Sequence, residues 1–77
     1  MVNDALGNPI VIGRRYGYSI SKNGINEVIT GTALSWSDKR VTLSSIQEAR
    51  GLYGEVGEFV AKTRARSVHG CNLFPIN

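Results

Sequence analysis

The order of apolar and polar residues reads as strand, turn and strand, repeated along the chain. From Ile10 the even positions run Ile10, Ile12, Arg14, Tyr16, Tyr18 and Ile20, and the odd positions run Val11, Gly13, Arg15, Gly17, Ser19 and Ser21. Apart from Arg14 this is a period of two, which predicts a strand with its even face buried. Gly13 and Gly17 on the other face suit bending or close approach of a second backbone. Asn23-Gly24 follows Lys22. Both residues tolerate the positive φ that a two-residue type I′ turn requires, so a hairpin is expected here.

The second strand, Ile25 to Trp36, alternates imperfectly. Val28, Leu34 and Trp36 share one parity while Ile29 and Ala33 share the other. A bulge or sharp bend near Gly31 reconciles them, because glycine accepts the dihedrals a bulge needs. Bending a strand in mid-length is how a short chain curls its sheet into a barrel. Ser37-Asp38-Lys39 reads as a second turn, after which Val41 and Leu43 share one face of a new strand. Residues 44–50 fit two readings. Ser45-Ile46-Gln47-Glu48 has the form of a capping box, which would open one helical turn stopped by Gly51. Alternatively the strand runs on to Ala49, and this reading is favoured because one isolated helical turn gains little.

The three glycines at 51, 54 and 57 mark a loop. Beyond it, Phe59, Ala61, Thr63 and Ala65 are expected on the inner face of another strand, with Lys62, Arg64 and Arg66 on its outer face. Val68-His69-Gly70-Cys71 reads as a tight turn. Leu73-Phe74-Pro75-Ile76 is a short closing segment, in which Pro75 marks a sheet edge. Residues 1–8 read as a flexible polar lead-in. The expected architecture is therefore all-β: a single domain over residues 1–77, a small, strongly bent antiparallel barrel of about five short strands.

On Val11-Ile12-Gly13-Arg14-Arg15-Tyr16, Thr30-Gly31-Thr32-Ala33, Arg40-Val41-Thr42-Leu43, and Arg66-Ser67-Val68 before Leu73-Phe74-Pro75-Ile76, the chain resembles SH3-like barrels of the broad group that includes KOW and Tudor domains. It is also similar to the small accessory proteins of tailed bacteriophages. The first resemblance implies binding of RNA, DNA or protein, without choosing among them. Lys22-Asn23-Gly24 matches the glycine-centred KOW turn only in part. The group includes one enzyme, a plasmid-borne dihydrofolate reductase with a Val-Gln-Ile-Tyr segment. This chain has no such segment, so that activity is not carried over.

Composition narrows the function classes. The chain has 77 residues, 42% of them hydrophobic and 19% charged, which fits one folded domain with a thin core. A lone cysteine, Cys71, leaves no internal disulfide and favours a reducing, cytoplasmic setting. The opening residues lack the basic and apolar regions of a signal peptide, and no apolar run is long enough to span a bilayer, so no membrane role is expected. The net charge of +3 permits an anionic partner.

No catalytic, metal or cofactor site is expected. His69 and Cys71 are two residues apart, but a metal needs further ligands and nucleophilic catalysis needs an oriented base and an oxyanion site. The expectation is that His69 lies on a turn and Cys71 packs inside. The six acids, Asp4, Glu27, Asp38, Glu48, Glu55 and Glu58, fall on turns and strand ends and read as solvated charge. Glycines 51, 54 and 57 lack the Lys-Ser/Thr of a phosphate-binding loop.

One constellation remains. Lys62, Arg64 and Arg66 alternate, so on a strand they recur about every 6.6 Å. That is close to the spacing of phosphates along one nucleic-acid strand. Arg14, Arg15, Lys39 and Arg40 extend the row if the fold brings them alongside. Tyr16, Tyr18, Trp36 and Tyr53 are candidates for base stacking or for docking a protein partner, with core packing the default for Tyr16 and Tyr18 and Trp36 and Tyr53 favoured for the partner. Three roles follow: nucleic-acid binding through the basic strand face, docking on a host or phage protein as an effector, and homo-oligomeric structural use.

Overall fold

The turn at Asn23-Gly24 forms as its residue types require. Asn23 has φ of 53° and Gly24 of 78°, and the turn joins β1 (Arg15–Lys22) to β2 (Ile25–Ser37) in register from Lys22 opposite Ile25 to Arg15 opposite Thr32. A second tight turn, with Asp38 at φ of 54°, joins β2 to β3 (Arg40–Leu52). Aspartate tolerates the left-handed region better than most residues do. The computed structural model describes residues 2–52 and 57–76. Within them lie three shorter strands, β4 (Val60–Lys62), β5 (Arg66–His69) and β6 (Phe74–Ile76), with a single 3-10 turn over Gly70–Asn72 between the last two.

The protein is all-β, and all six strands belong to one antiparallel sheet ordered β4-β3-β2-β1-β6. β5 pairs with β3, on the edge that β4 also uses. Among the described residues no ladder joins β5 to β6, so the bent sheet is open there. Pro75 lies opposite Tyr16, whose own hydrogen-bonding groups face β2, so the missing proline N–H leaves nothing unpaired.

The bend sits where β2 and β3 cross Gly31. Their register shifts between Thr30 and Thr32 and again between Ala33 and Ser35. Ser45, opposite the first shift, has φ of 51°. The extra residue of the first bulge is therefore on β3, and the parity change appears there: Val41 and Leu43 are buried, then Ile46. Residues 44–50 are strand, with no helical turn. β3 also continues through Gly51 and Leu52, which the sequence reading places in a loop.

The bend folds one face of the sheet onto itself around Tyr16, Ile29, Leu43, Ile46, Leu73 and Val41, all fully buried. Each such side chain contributes about 1.5–3 kcal/mol when removed from water. The Tyr16 hydroxyl accepts a hydrogen bond from the Val11 N–H at 2.9 Å, so the buried phenol is satisfied.

Three expectations are corrected. Residues 1–8 are not a loose lead-in over their described part. Val2 is buried in the core, Ile10 N–H donates to the Val2 carbonyl at 2.8 Å, and Ala5 N–H donates to the Leu73 carbonyl at 2.8 Å. Asp4 is buried, and its carboxylate accepts from the N–H groups of Leu6 at 2.9 Å and Asn8 at 3.0 Å. This side-chain turn sets the local path of the opening segment. Residues 10–14 are not strand either: a turn with Gly13 at φ of 92° carries them across Ala33 before β1 begins. Lastly, Cys71 is exposed, and the buried residue of its turn is Gly70.

Gly70 is where the amino-terminal segment closes the core. A β-carbon there would collide with the Val2 side chain and approach the Asn3 carbonyl oxygen to 2.9 Å. Gly70→Ala is expected to destabilise the fold by about 1–3 kcal/mol through overpacking. Tyr16→Phe is expected to cost about 0.5–1.5 kcal/mol by removing the hydrogen bond to the Val11 N–H. Urea denaturation of both variants checks these values. Wild-type stability for Gly70→Ala would show that residues 2–10 do not dock against the 3-10 turn.

Candidate functional site

Past the core, the inner face of the sheet continues outward and changes character. Tyr18, Ile29, Glu48 and Val60 lie in one cross-strand row, and Ile20 and Glu27 are paired one step further toward the hairpin tip. Burial falls along this face: Tyr16 is fully buried, Tyr18 is half-buried and Ile20 is exposed. Charged side chains therefore occupy positions that a closed barrel would fill with apolar ones.

The result is a concavity of about 650 Å³. Tyr18, Glu27, Glu48 and Arg50 form its floor on β1, β2 and β3, and Lys62, Arg64 and Arg66 form its wall. The wall is not the single strand expected over Phe59–Arg66. β4 ends at Lys62, residues 63–64 bend, and β5 starts at Arg66. The reason lies in β3, whose bulge at Ser45 kinks the edge that a continuous strand would have to follow. β4 pairs with β3 beyond the kink, at Ile46–Glu48, and β5 pairs before it, at Arg40–Leu43.

The faces are also reversed from the expectation. Lys62 lies opposite Ile46 and Arg66 opposite Leu43, so both cations share the inner face with core residues. Phe59, Ala61, Thr63 and Ala65 are all exposed. The three cations are nevertheless brought together, at one concave site.

Two of the four cations at the site are matched by acids. Arg50 Nε donates to Glu27 Oε1 at 2.6 Å, and Arg66 Nη1 lies 3.7 Å from Glu48 Oε1. Among the described residues no ion pair involves Lys62 or Arg64. Burial holds the Tyr18 phenol above its ordinary pKa, Arg66 opposes that shift, and Glu48 and Glu27 add to it. The hydrogen bond that Arg50 donates to Glu27 raises the Arg50 pKa. Tyr18 therefore presents a half-buried ring among the charged side chains of the concavity.

The other expected cations lie elsewhere. Arg15 faces the opposite side of the sheet, where its guanidinium donates to Thr32 Oγ1 and Thr30 Oγ1, both at 3.0 Å. Arg40 donates from Nε to Ser67 Oγ at 2.9 Å and from Nη2 to the Ser67 carbonyl at 2.7 Å, tying β3 to β5. Lys39 is in the β2–β3 turn, and its carbonyl accepts from Gly70 N–H at 2.9 Å. Trp36 is exposed near that same turn, and Tyr53 lies outside the described residues. Glu27, Glu48 and Arg50 are functional candidates that sequence reasoning missed. Their signal was available: they occupy the parity of Ile25, Ile29 and Leu52 on paired strands.

Among the described residues no group of three or more His, Cys, Asp or Glu side chains is placed to hold a metal ion. No helix of the described residues is long and apolar enough to cross a membrane. Compared with protein-family models, with characterised proteins and with solved structures, the chain matches none.

The coupling within the site has a spectroscopic test. Arg66→Gln is expected to raise the Tyr18 titration, and Glu48→Gln to lower it, in NMR of tyrosine-labelled protein. Because its folded pKa is raised, the Tyr18 phenol contributes stability that is complete below its unfolded pKa. That contribution is lost as pH rises through the folded value. Identical titrations in both variants would show that the three side chains do not share a site.

Proposed function

We propose that this protein is a non-catalytic binding module with an SH3-like barrel that takes the backbone of a single-stranded nucleic acid across its basic concavity. In this reading Lys62 and Arg64 meet phosphates, Arg66 and Arg50 are held in place by Glu48 and Glu27, and Tyr18 offers a ring for stacking. The observation that carries the reading is the convergence of Lys62, Arg64 and Arg66 beside Tyr18 in one concavity. A concave site of this size suits one strand rather than a duplex, whose readout needs an element that enters a groove. Arg15 and Arg40 are spent on internal hydrogen bonds and take no part.

A second reading has its own observation. Val11, Ile12, Leu34 and Trp36 are all exposed, and the turn at Ile12-Gly13 is hydrogen-bonded to Ala33, beside Leu34. Exposed apolar groups gathered at one end of a domain suit a protein partner. This is the surface that an accessory effector of phage type would use.

Fluorescence anisotropy with labelled single-stranded DNA and RNA oligonucleotides separates the two. The double variant Lys62→Glu, Arg64→Glu is expected to weaken binding at least tenfold. Losing two phosphate contacts should flatten the slope of log K against log salt by about 1.4 for a single strand. Arg15→Gln should leave affinity unchanged while lowering stability. No binding by wild type at low salt ends the nucleic-acid reading. Loss of a stoichiometric protein complex in Leu34→Asp, Trp36→Ala would support the second.

A further inference from the structure

β1 carries a strand edge that its own fold does not cover. Its pairing with β6 spans only Arg15–Gly17, whereas its pairing with β2 spans Arg15–Lys22. Among the described residues, Tyr18 to Lys22 thus have a neighbouring strand on one side only. Lys22 and Ile25 flank a two-residue turn and form a hydrogen-bonded pair, so the even residues of β1 bond to β2 and the odd ones face the other edge. Arg15 and Gly17 spend those groups on β6. The N–H and C=O groups of Ser19 and Ser21 meet no described strand. Beside them lies a groove of about 490 Å³ bordered by Ile20, Val68, Cys71 and Phe74.

Most of the usual protections of an edge are missing here. Residues 18–22 contain no proline and no bulge, Ile20 is 40% exposed at their centre, and their one charge, Lys22, stands at the end beside the turn. An uncovered edge of this kind is a template for another strand.

We propose that the occupant is a second copy of this chain, joined β1 to β1 in antiparallel fashion about a two-fold axis at Ile20. The register follows from the edge itself. Only odd residues present free backbone groups, so Ser19 must pair with Ser21 or with its own counterpart. Pairing Ser19 with Ser21 of the second copy sets Ile20 opposite Ile20 and Tyr18 opposite Lys22. Lys22 is the last residue before the Asn23-Gly24 turn, and Tyr18 is the first beyond the end of β6. The incoming strand therefore fills the free edge and turns away where β6 begins. Centring the axis on Ser19 instead would run the second copy into β6, and centring it on Ser21 would leave Tyr18 facing a turn.

The chemistry agrees with that register. Each Ser19–Ser21 pair exchanges two backbone hydrogen bonds. The Ile20 pair occupies the non-hydrogen-bonded position, where side chains approach most closely. The two Lys22 ammonium groups lie at opposite ends, each beside a tyrosine ring of the other copy. The interface is self-complementary, as a two-fold contact must be. It is also a single strand wide, so association is expected to be weak and concentration-dependent.

Cysteine cross-linking reads the register directly. In a Cys71→Ser background, Ile20→Cys places two thiols on the axis, at a β-carbon separation of about 4.5–5.5 Å. Lys22→Cys separates them by about 13 Å along the strands. Mild oxidation is expected to give a disulfide-linked dimer at least tenfold faster for Ile20→Cys than for Lys22→Cys. Sedimentation velocity of the unmodified protein should show dimer growing with concentration, and Ile20→Lys should return it to monomer. Equal cross-linking at the two positions, or a dimer that persists in Ile20→Lys, overturns the proposal. So does a protein that stays monomeric with freely exchanging Ser19 and Ser21 amides, which would leave the edge to a strand from a different chain. None of these readouts depends on nucleic acid.

Discussion

The structure depends on the close crossing of β2 and β3 at Gly31. A β-carbon there would stand 2.7 Å from Ile46 Cδ1 and 2.9 Å from Leu43 Cβ, which no side chain accommodates without displacing the core. Glycine at this point and the bulge at Ser45 opposite let two thirteen-residue strands bend together rather than remain a flat ribbon. A flat ribbon would bury one face of nothing. The bent one encloses Leu43, Ile46, Ile29 and Tyr16 and leaves room for β5, β6 and the amino-terminal segment to close the other side.

The same bend creates the concavity. Because β3 kinks, the chain that returns along its edge is split into β4 and β5, and the residues between them swing clear of the sheet. Lys62, Arg64 and Arg66 are then set around a hollow rather than along a line. The floor of the hollow is an inner sheet face that has lost its apolar character, from Ile29 to Glu27 on β2 and from Ile46 to Glu48 and Arg50 on β3. Glu27 and Glu48 offset two of the cations and orient them. Lys62 and Arg64 are left to set the sign of the rim.

Strand length has a further consequence. β1 and β2 extend past the core toward the Asn23-Gly24 turn, and the molecule is 35 Å long against 24 Å and 20 Å across. The six-strand sheet cannot cover an arm of that length with a three-residue β6. An uncovered edge and an uncovered inner face therefore occur on the same projecting arm.

Much of this was legible along the chain because it is local. The Asn23-Gly24 and Asp38 turns depend on residues that tolerate positive φ, the alternation of Tyr16 and Tyr18 depends on the two-residue period of a strand, and Gly31 announces a bend by its lack of a side chain. The inward direction of Lys62 and Arg66 was not legible. Facing is set by which residue of β3 lies opposite, and the bulge at Ser45, well before both cations in the chain, shifts that register. The burial of Asp4, the exposure of Cys71 and the diversion of Arg15 and Arg40 into internal hydrogen bonds were hidden for the same reason. The residue types decided that this chain forms short antiparallel strands and where they turn. Only the assembled sheet decided which side chains share a face, because that depends on contacts between segments far apart in the chain.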